Sequence, residues 1–351
     1  MIFTPTILRL SHRFRWYDQI DHRKIHTEDT PRLGGVGFFL SFIFASIILA
    51  VFIPTLNGSV AEIRMLSNQN ILLFVGLFMV HGLGLVDDFR NIRAIYKLIG
   101  LIIAGALVAI GGALMDGIYL PLIGFVIPLG PLSGAITIFW LISISNAVNL
   151  IDGLDGLAGG TGLIAAFAIG VVHIILGNFP GALYSIILAG ALLAFLVFNR
   201  PKAKIFMGDS GSLFLGFLLG ALVFIGGSDT SSMQQELNQF VAGFVLTITV
   251  LIVPIVDMIS AILRRLRERK PIHHPDKEHL HHKLLGMGFS TVNILFLVHG
   301  VNLLMGLAVV SWAINKRFGG SDLAGDAILV LAWILGASLF TWLHYAYRSK
   351  K

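Results

Sequence analysis

Apolar residues run along the chain in blocks of about 17–23, long enough to cross a bilayer as helices. They predict ten spanning helices, at about 36–56, 70–86, 98–115, 132–150, 157–176, 181–198, 211–227, 240–262, 292–314 and 326–345. Between the third and fourth lies GIYLPLIGFVIPLGPLS (117–133), rich in Pro, Gly and β-branched residues. It predicts a short extended hairpin rather than a helix.

Composition agrees. Of 351 residues, 56% are hydrophobic and 13% charged, where a soluble domain carries about 25% charged residues. The expected fold class is an all-α polytopic integral membrane protein, a single domain over 1–351 with a small hairpin on the outer side. The opening MIFTPTILRLSHRFR is too short to span and lacks a signal-peptide cleavage pattern. There is no cysteine, so disulfides and thiolate metal sites are excluded.

Charge then orients the helices. The segments 1–35, 87–97, 151–156, 199–210, 263–291 and 346–351 hold 22 of the Lys and Arg residues, and the opposite set holds only Arg64, Lys316 and Arg317. By the positive-inside rule the first set is cytoplasmic. Asp87, Asp88, Asp152, Asp155 and Asp209 all fall on that side at helix ends, as do five histidines in HHPDKEHLHH (273–282). The outer acids, Glu62, Asp116, Asp229, Glu236, Asp322 and Asp326, are scattered. One composite site at the inner interface is expected.

Four motifs supply its chemistry. GLVDDFRNIRAIYK (84–97) ends the second helix with adjacent carboxylates, which repel unless a cation or proton separates them. Lys97, farther on, suits a phosphate as a point charge. NAVNLIDGLDGLAGG (146–160) places Asn146, Asn149, Asp152 and Asp155 three residues apart, and Gly153 and Gly156 end the helix near Asp152 so that the chain folds back. The four side chains then converge on a hard cation or a nucleotide, or else form a polar turn. NRPKAKIFMGDSGSLFLG (199–216) sets Asp209 in a glycine-flanked turn before an apolar helix, with Ser210 or Ser212 as the expected N-cap. Such a turn favours anions, so Asp209 calls for a cation partner such as Mg²⁺ with phosphate and water oxygens. The basic loop RRLRERKPIHHPDKEHLHHKLLGMGFS (264–290) suits an anionic substrate, its histidines serving as donors or titrating groups. Zinc is the weaker alternative there, because the neighbouring motifs are oxygen sites. Asp257 is left as either a helix-end ion pair with Arg264 or a support for the site.

Together these parts match phosphoryl transfer at a membrane interface, where charge neutralisation and positioning dominate. A transporter is the competing class, disfavoured because the acids gather at one face.

The motifs RKIHTEDTPRLGG (23–35), DD (87–88), NAVNLIDGLDGLAGG, IFMGDSGS (205–212) and PDKEHLHH (275–282) occur in the order found in polyprenyl-phosphate N-acetylhexosamine-1-phosphate transferases, glycosyltransferase family 4, and the chain resembles them over most of its length. The loop HPDKEHLHHKLL looks like the branch using UDP-N-acetylglucosamine. The branch transferring phospho-muramoyl-pentapeptide usually has a compact run of three histidines, absent here. The resemblance implies attack of undecaprenyl phosphate on the β-phosphorus of UDP-GlcNAc, releasing UMP, in the bacterial cytoplasmic membrane with the site facing the cytoplasm. This is the first lipid-linked step of a surface polysaccharide. The alternative is the same reaction with another UDP-N-acetylhexosamine or with phospho-MurNAc-pentapeptide.

By the same resemblance Asp209 binds Mg²⁺, or Mn²⁺ in its place, helped by Asn149. Asp87 and Asp88 position or deprotonate the lipid phosphate, with Asp209 completing the catalytic set. Lys97, Asn146, Asp152, Asp155, His274, His279, His281 and His282 contact the substrates. No nucleic acid is implied as a partner, and a homodimer is left open. The family normally has a spanning helix before RKIH, where only 22 residues precede it here, so the apolar blocks give ten helices where the resemblance implies eleven.

Overall fold

The computed structural model describes residues 2–17, 30–56, 67–225, 244–271 and 278–348. Its helices, in chain order, are α1 Phe3–Phe14, α2 Gly34–Leu56, α3 Asn68–Arg90, α4 Ala94–Ile110, α5 Ser133–Ile151, α6 Leu157–Leu176, α7 Phe179–Asn199 and α8 Gly208–Ala221. They continue with α9 Phe244–Val250, α10 Ile252–Arg267, α11 Leu280–Gly286, α12 Thr291–Arg317 and α13 Asp322–Arg348. Each predicted span has a helix at its place. Six of the described helices are long and apolar enough to cross a membrane, and a broken pair makes a seventh. The other three places are taken by α2, by α4 and by the 14-residue α8.

The expected extended hairpin is present as β1 Gly117–Leu120 paired antiparallel with β2 Phe125–Pro128. It is tied to the last two helices by Asp326, a buried carboxylate that accepts from Tyr119 Oη at 2.7 Å, Leu122 N at 3.1 Å and Trp312 Nε1 at 3.0 Å.

The predicted span 240–262 is not one helix. α9 and α10 meet at 76°, and the physical reason is Pro254. A proline has no N–H to give an i−4 carbonyl and is tolerated only in a first turn, which is where α10 places it.

At the centre stands α8, with nearly every residue from Gly208 to Ala221 buried and α2, α3 and α5 packed around it. A helix apolar on all sides is a core helix. In lipid the association rests on close packing and interhelical hydrogen bonds more than on hydrophobic transfer. Ser145 Oγ of α5 donates to Leu213 O at 2.8 Å, and Trp140 Nε1 donates to Gly220 O at 3.0 Å. The first turn of this rigid helix carries Asp209.

Candidate active site

Three segments distant in sequence meet at that turn. The end of α3 brings Asp87 and Asp88, and the start of α4 brings Lys97. Pro31–Gly35, which leads into the first residues of α2, pairs with 206–207 through Phe206 N to Pro31 O, Gly34 N to Phe206 O and Gly35 N to Met207 O, each 2.8 Å. That pairing delivers Arg32.

Asp209 lies between two cations. Its Oδ1 accepts from Arg32 Nη2 at 3.1 Å and its Oδ2 from Lys97 Nζ at 3.0 Å. Lys97 also donates to Asp87 Oδ2 at 3.1 Å, while Asp87 Oδ1 accepts from Ile92 N at 2.8 Å and holds the turn after α3. Arg32 Nε reaches Asp88 Oδ1 at 3.3 Å. Both cations keep about a quarter of their side chains exposed, 25% for Arg32 and 27% for Lys97. The repulsion expected of adjacent carboxylates is therefore relieved by cations shared with Asp209.

Asp88 has a further task. Its two oxygens accept from Asp209 N at 2.7 Å and Ser210 N at 3.0 Å, so a carboxylate of α3 caps α8. The predicted N-cap, Ser210 or Ser212, is corrected. The helix already begins at Gly208, both serines lie inside it, and Ser212 Oγ donates back to Gly208 O at 3.0 Å. An ionised carboxylate at the positive end of a helix satisfies its amides better than a hydroxyl. Gly208, at φ 72°, has no room for a side chain, because a Cβ there would lie 2.7–2.8 Å from the Asp88 oxygens.

The α5–α6 turn folds back as its glycines predicted. α5 ends at Ile151, and Gly156 precedes α6 with φ 76°. Asn199 stitches this turn to the 199–207 loop, accepting from Gly156 N at 3.0 Å and donating to Ile205 O at 2.8 Å. Asp155 Oδ2 accepts from Ala203 N at 3.0 Å. Burial, reinforced by the Asp209 carboxylate and opposed by Arg32, lifts the Asp152 carboxyl well above the ordinary range. Asn149 donates to Ser212 Oγ at 2.8 Å, one turn along α8 from Asp209. Asn146 instead donates to Ile142 O of its own helix at 2.8 Å.

The histidine loop closes on the same turn. His279 precedes α11, and its Nδ1 lies 2.8 Å from Asp257 Oδ2. His281 is 3% exposed, and its ring lies against Gly153, where a Cβ would sit 2.7 Å from Cε1 and closer still to Nε2. Burial, helped by His282 and outweighing Asp257, pushes the His281 imidazole down to about 3. The rings of His281 and His282 are 4.3 Å apart. His274 lies outside the described residues.

With this geometry in place, comparison with known proteins is decisive. The chain is 33% identical to a probable undecaprenyl-phosphate N-acetylglucosaminyl 1-phosphate transferase of Bacillus subtilis over 301 residues, covering 85% of this chain and 78% of that one. It belongs to glycosyl transferase family 4. The model of that family matches residues 70–227, from α3 to just past α8. A decaprenyl-phosphate N-acetylglucosaminephosphotransferase of Mycobacterium leprae is 34% identical over 322 residues, 88% of this chain and 79% of its own. A phospho-N-acetylmuramoyl-pentapeptide-transferase of Staphylococcus saprophyticus is 31% identical over 322 residues, 86% of this chain and 91% of its own.

Within the family match lie Asp87, Asp88, Lys97, Asn149, Asp152, Asp155 and Asp209; the histidine loop and Arg32 lie outside it. Arg32 is a site residue that the sequence did not single out. It stands in the motif TPRLGG, but nothing local separates it from the other cations of the positive-inside signal.

Proposed function

We propose that this family 4 member transfers N-acetylglucosamine 1-phosphate from UDP-GlcNAc to undecaprenyl phosphate on the cytoplasmic face of a bacterial cytoplasmic membrane. The observation that carries it is Asp209 at the start of the buried α8, bracketed by Arg32 and Lys97 and backed by Asp87 and Asp88. A phosphate oxygen of the lipid attacks the β-phosphorus of the donor. The bond from that phosphorus to the bridging oxygen breaks, and UMP leaves with the bridging oxygen.

Transfer through a loose transition state needs in-line positioning and neutralised charge. Lys97 and Arg32 supply positive charge beside three carboxylates that would otherwise repel both anionic substrates. A phosphate monoester has its second pKa near 6, so the nucleophile arrives largely ionised. Asp87, oriented by Ile92 N and Lys97, then serves alignment more than proton removal.

Mg²⁺ fits the donor set. Among the described residues no three His, Cys, Asp or Glu gather as a metal cage. An ion held by Asp209, with Asn149 of α5 bonded to Ser212 one turn along α8, would be completed by phosphate oxygens and water, as Mg²⁺ prefers. When bound it would neutralise the diphosphate.

The test is a membrane assay with labelled UDP-GlcNAc, undecaprenyl phosphate and Mg²⁺, following label into lipid and UMP release. Equal amounts of both, lost in Asp209→Ala and on chelation, are expected. Label from another UDP-sugar but not from UDP-GlcNAc would change the donor. No transfer from any donor by folded protein refutes the proposal.

A further inference from the structure

Asp257 belongs to α10, the second half of the broken span, and is 2% exposed. A buried carboxylate is costly unless its oxygens are satisfied, and both are. Oδ2 faces His279 Nδ1 at 2.8 Å, and Oδ1 accepts from Leu280 N at 2.8 Å. The ion pair with Arg264 that the sequence left open is not formed; Arg264 reaches Glu278 at 3.7 Å. His279 offers α11 no side-chain cap of its own, so Asp257 holds the histidine ring and satisfies the first amide of the next helix.

The contacts continue beyond that carboxylate. The rings of His279 and His281 are nearly parallel, 6° apart in plane with centroids 6.1 Å apart. His281 Nε2 has no hydrogen-bond partner among the described residues and abuts Gly153, beside Asp152. α10 itself packs on α5, the helix that ends in this turn. Leu280 lines an apolar cleft with Val253, Val256, Leu297 and Leu339, between α10, α12 and α13. One element thus touches both the helix that carries the carboxylate turn and the histidines that face it.

We propose that Asp257 is a positioning residue for the nucleotide-sugar donor. It orients His279 and fixes the start of α11, thereby setting the histidine row in register with the α5–α6 turn. The inference rests on the transferase proposal. A residue needed only to pack α10 could be apolar; a carboxylate accepting from a ring nitrogen and a main-chain amide fixes a direction as well as a position.

The experiment compares the full chain in nanodiscs with Asp257→Asn, His279→Gln and the double variant. Asparagine keeps the volume and one acceptor for Leu280 N, but turns an NH₂ toward the nitrogen that donated to the carboxylate. Asp257→Asn is expected to raise KM for UDP-GlcNAc about tenfold, leaving KM for undecaprenyl phosphate and the melting temperature unchanged. The double variant should be no worse than His279→Gln alone, because both changes remove one interaction.

Equal shifts in both KM values, an unshifted donor KM, or additive losses in the double variant would overturn the inference. If Asp257→Asn does not fold, Asp257→Glu is measured instead. It keeps the carboxylate but moves it by a methylene, so the donor KM must still rise alone, and a wild-type donor KM would overturn the inference. Wild-type protein inactive with every donor would refute the transferase proposal itself, a result distinct from an active wild type matched by its Asp257 variant.

Discussion

Gly84 stands one helical turn before Asp88 on α3, and its backbone touches the start of α8. A Cβ at this position would lie 2.5 Å from Asp209 C and from Ser210 Cα, and closer to Asp209 O. These are main-chain atoms, unable to rotate aside. Carbon atoms settle at about 3.5–4.0 Å, so Gly84→Ala must drive the first turn of α8 away from α3 by about 1 Å. Asp209 moves with α8 while Asp87 and Asp88 stay on α3. A misplacement of about 1 Å can cost about 100-fold in rate.

The fold should survive, because overpacking costs about 1–3 kcal/mol and replacing glycine within a helix returns about 1 kcal/mol. Gly82→Ala is the matched control. It lies on the same helix, gains the same propensity, and its Cβ would meet nothing within 4 Å. Initial rates of UMP release at saturating substrates, normalised to folded protein, should fall about 100-fold for Gly84→Ala and stay at the wild-type value for Gly82→Ala. Gly84→Ala within threefold of that control would refute the claim that the contact between α3 and α8 sets the catalytic geometry.

Arg32→Ala removes a charge-assisted contact to each of Asp88 and Asp209. Such bonds are worth about 1.5–3 kcal/mol, so kcat/KM should fall about ten- to a hundredfold, with Arg32→Lys recovering only part because an ammonium cannot span both carboxylates; a wild-type kcat/KM for Arg32→Ala would exclude Arg32 from the site. His281 titrates near 3 when folded against 6.5 ordinarily, so the unfolded chain binds the proton first. Its contribution to stability is complete above pH 6.5, is lost as pH falls toward 3, and amounts to about 2 kcal/mol lost by pH 5. His281→Gln should flatten that part of the melting-temperature profile between pH 7 and 5, and an unchanged slope would refute the burial argument.

Local chemistry in the sequence determined much of this protein. Apolar run length set where helices form, and Pro and Gly marked the hairpin between α4 and α5 and the fold-back after Asp152. Each of these depends on one contiguous stretch of chain, so each can be read without knowing what lies nearby in space. The acids at helix ends announced a site for the same reason, since polar groups there must be satisfied or useful.

Which acid does what was decided only by tertiary contact. Asp88 caps a helix that begins 120 residues later, a partner no local pattern indicates; of the serines that looked like caps, Ser210 gives its amide to Asp88 and Ser212 Oγ turns back to Gly208 O. Arg32 reads as one more inner cation until main-chain pairing of 31–35 with 206–207 sets it between Asp88 and Asp209. The break at α9–α10 came from one proline whose consequence hydropathy averages away. Asp257 and His279 become a pair only because α10 turns beside α11. Hydropathy and turn propensity are properties of a segment. A hydrogen-bond partner is a property of two segments brought together, and packing alone selects it.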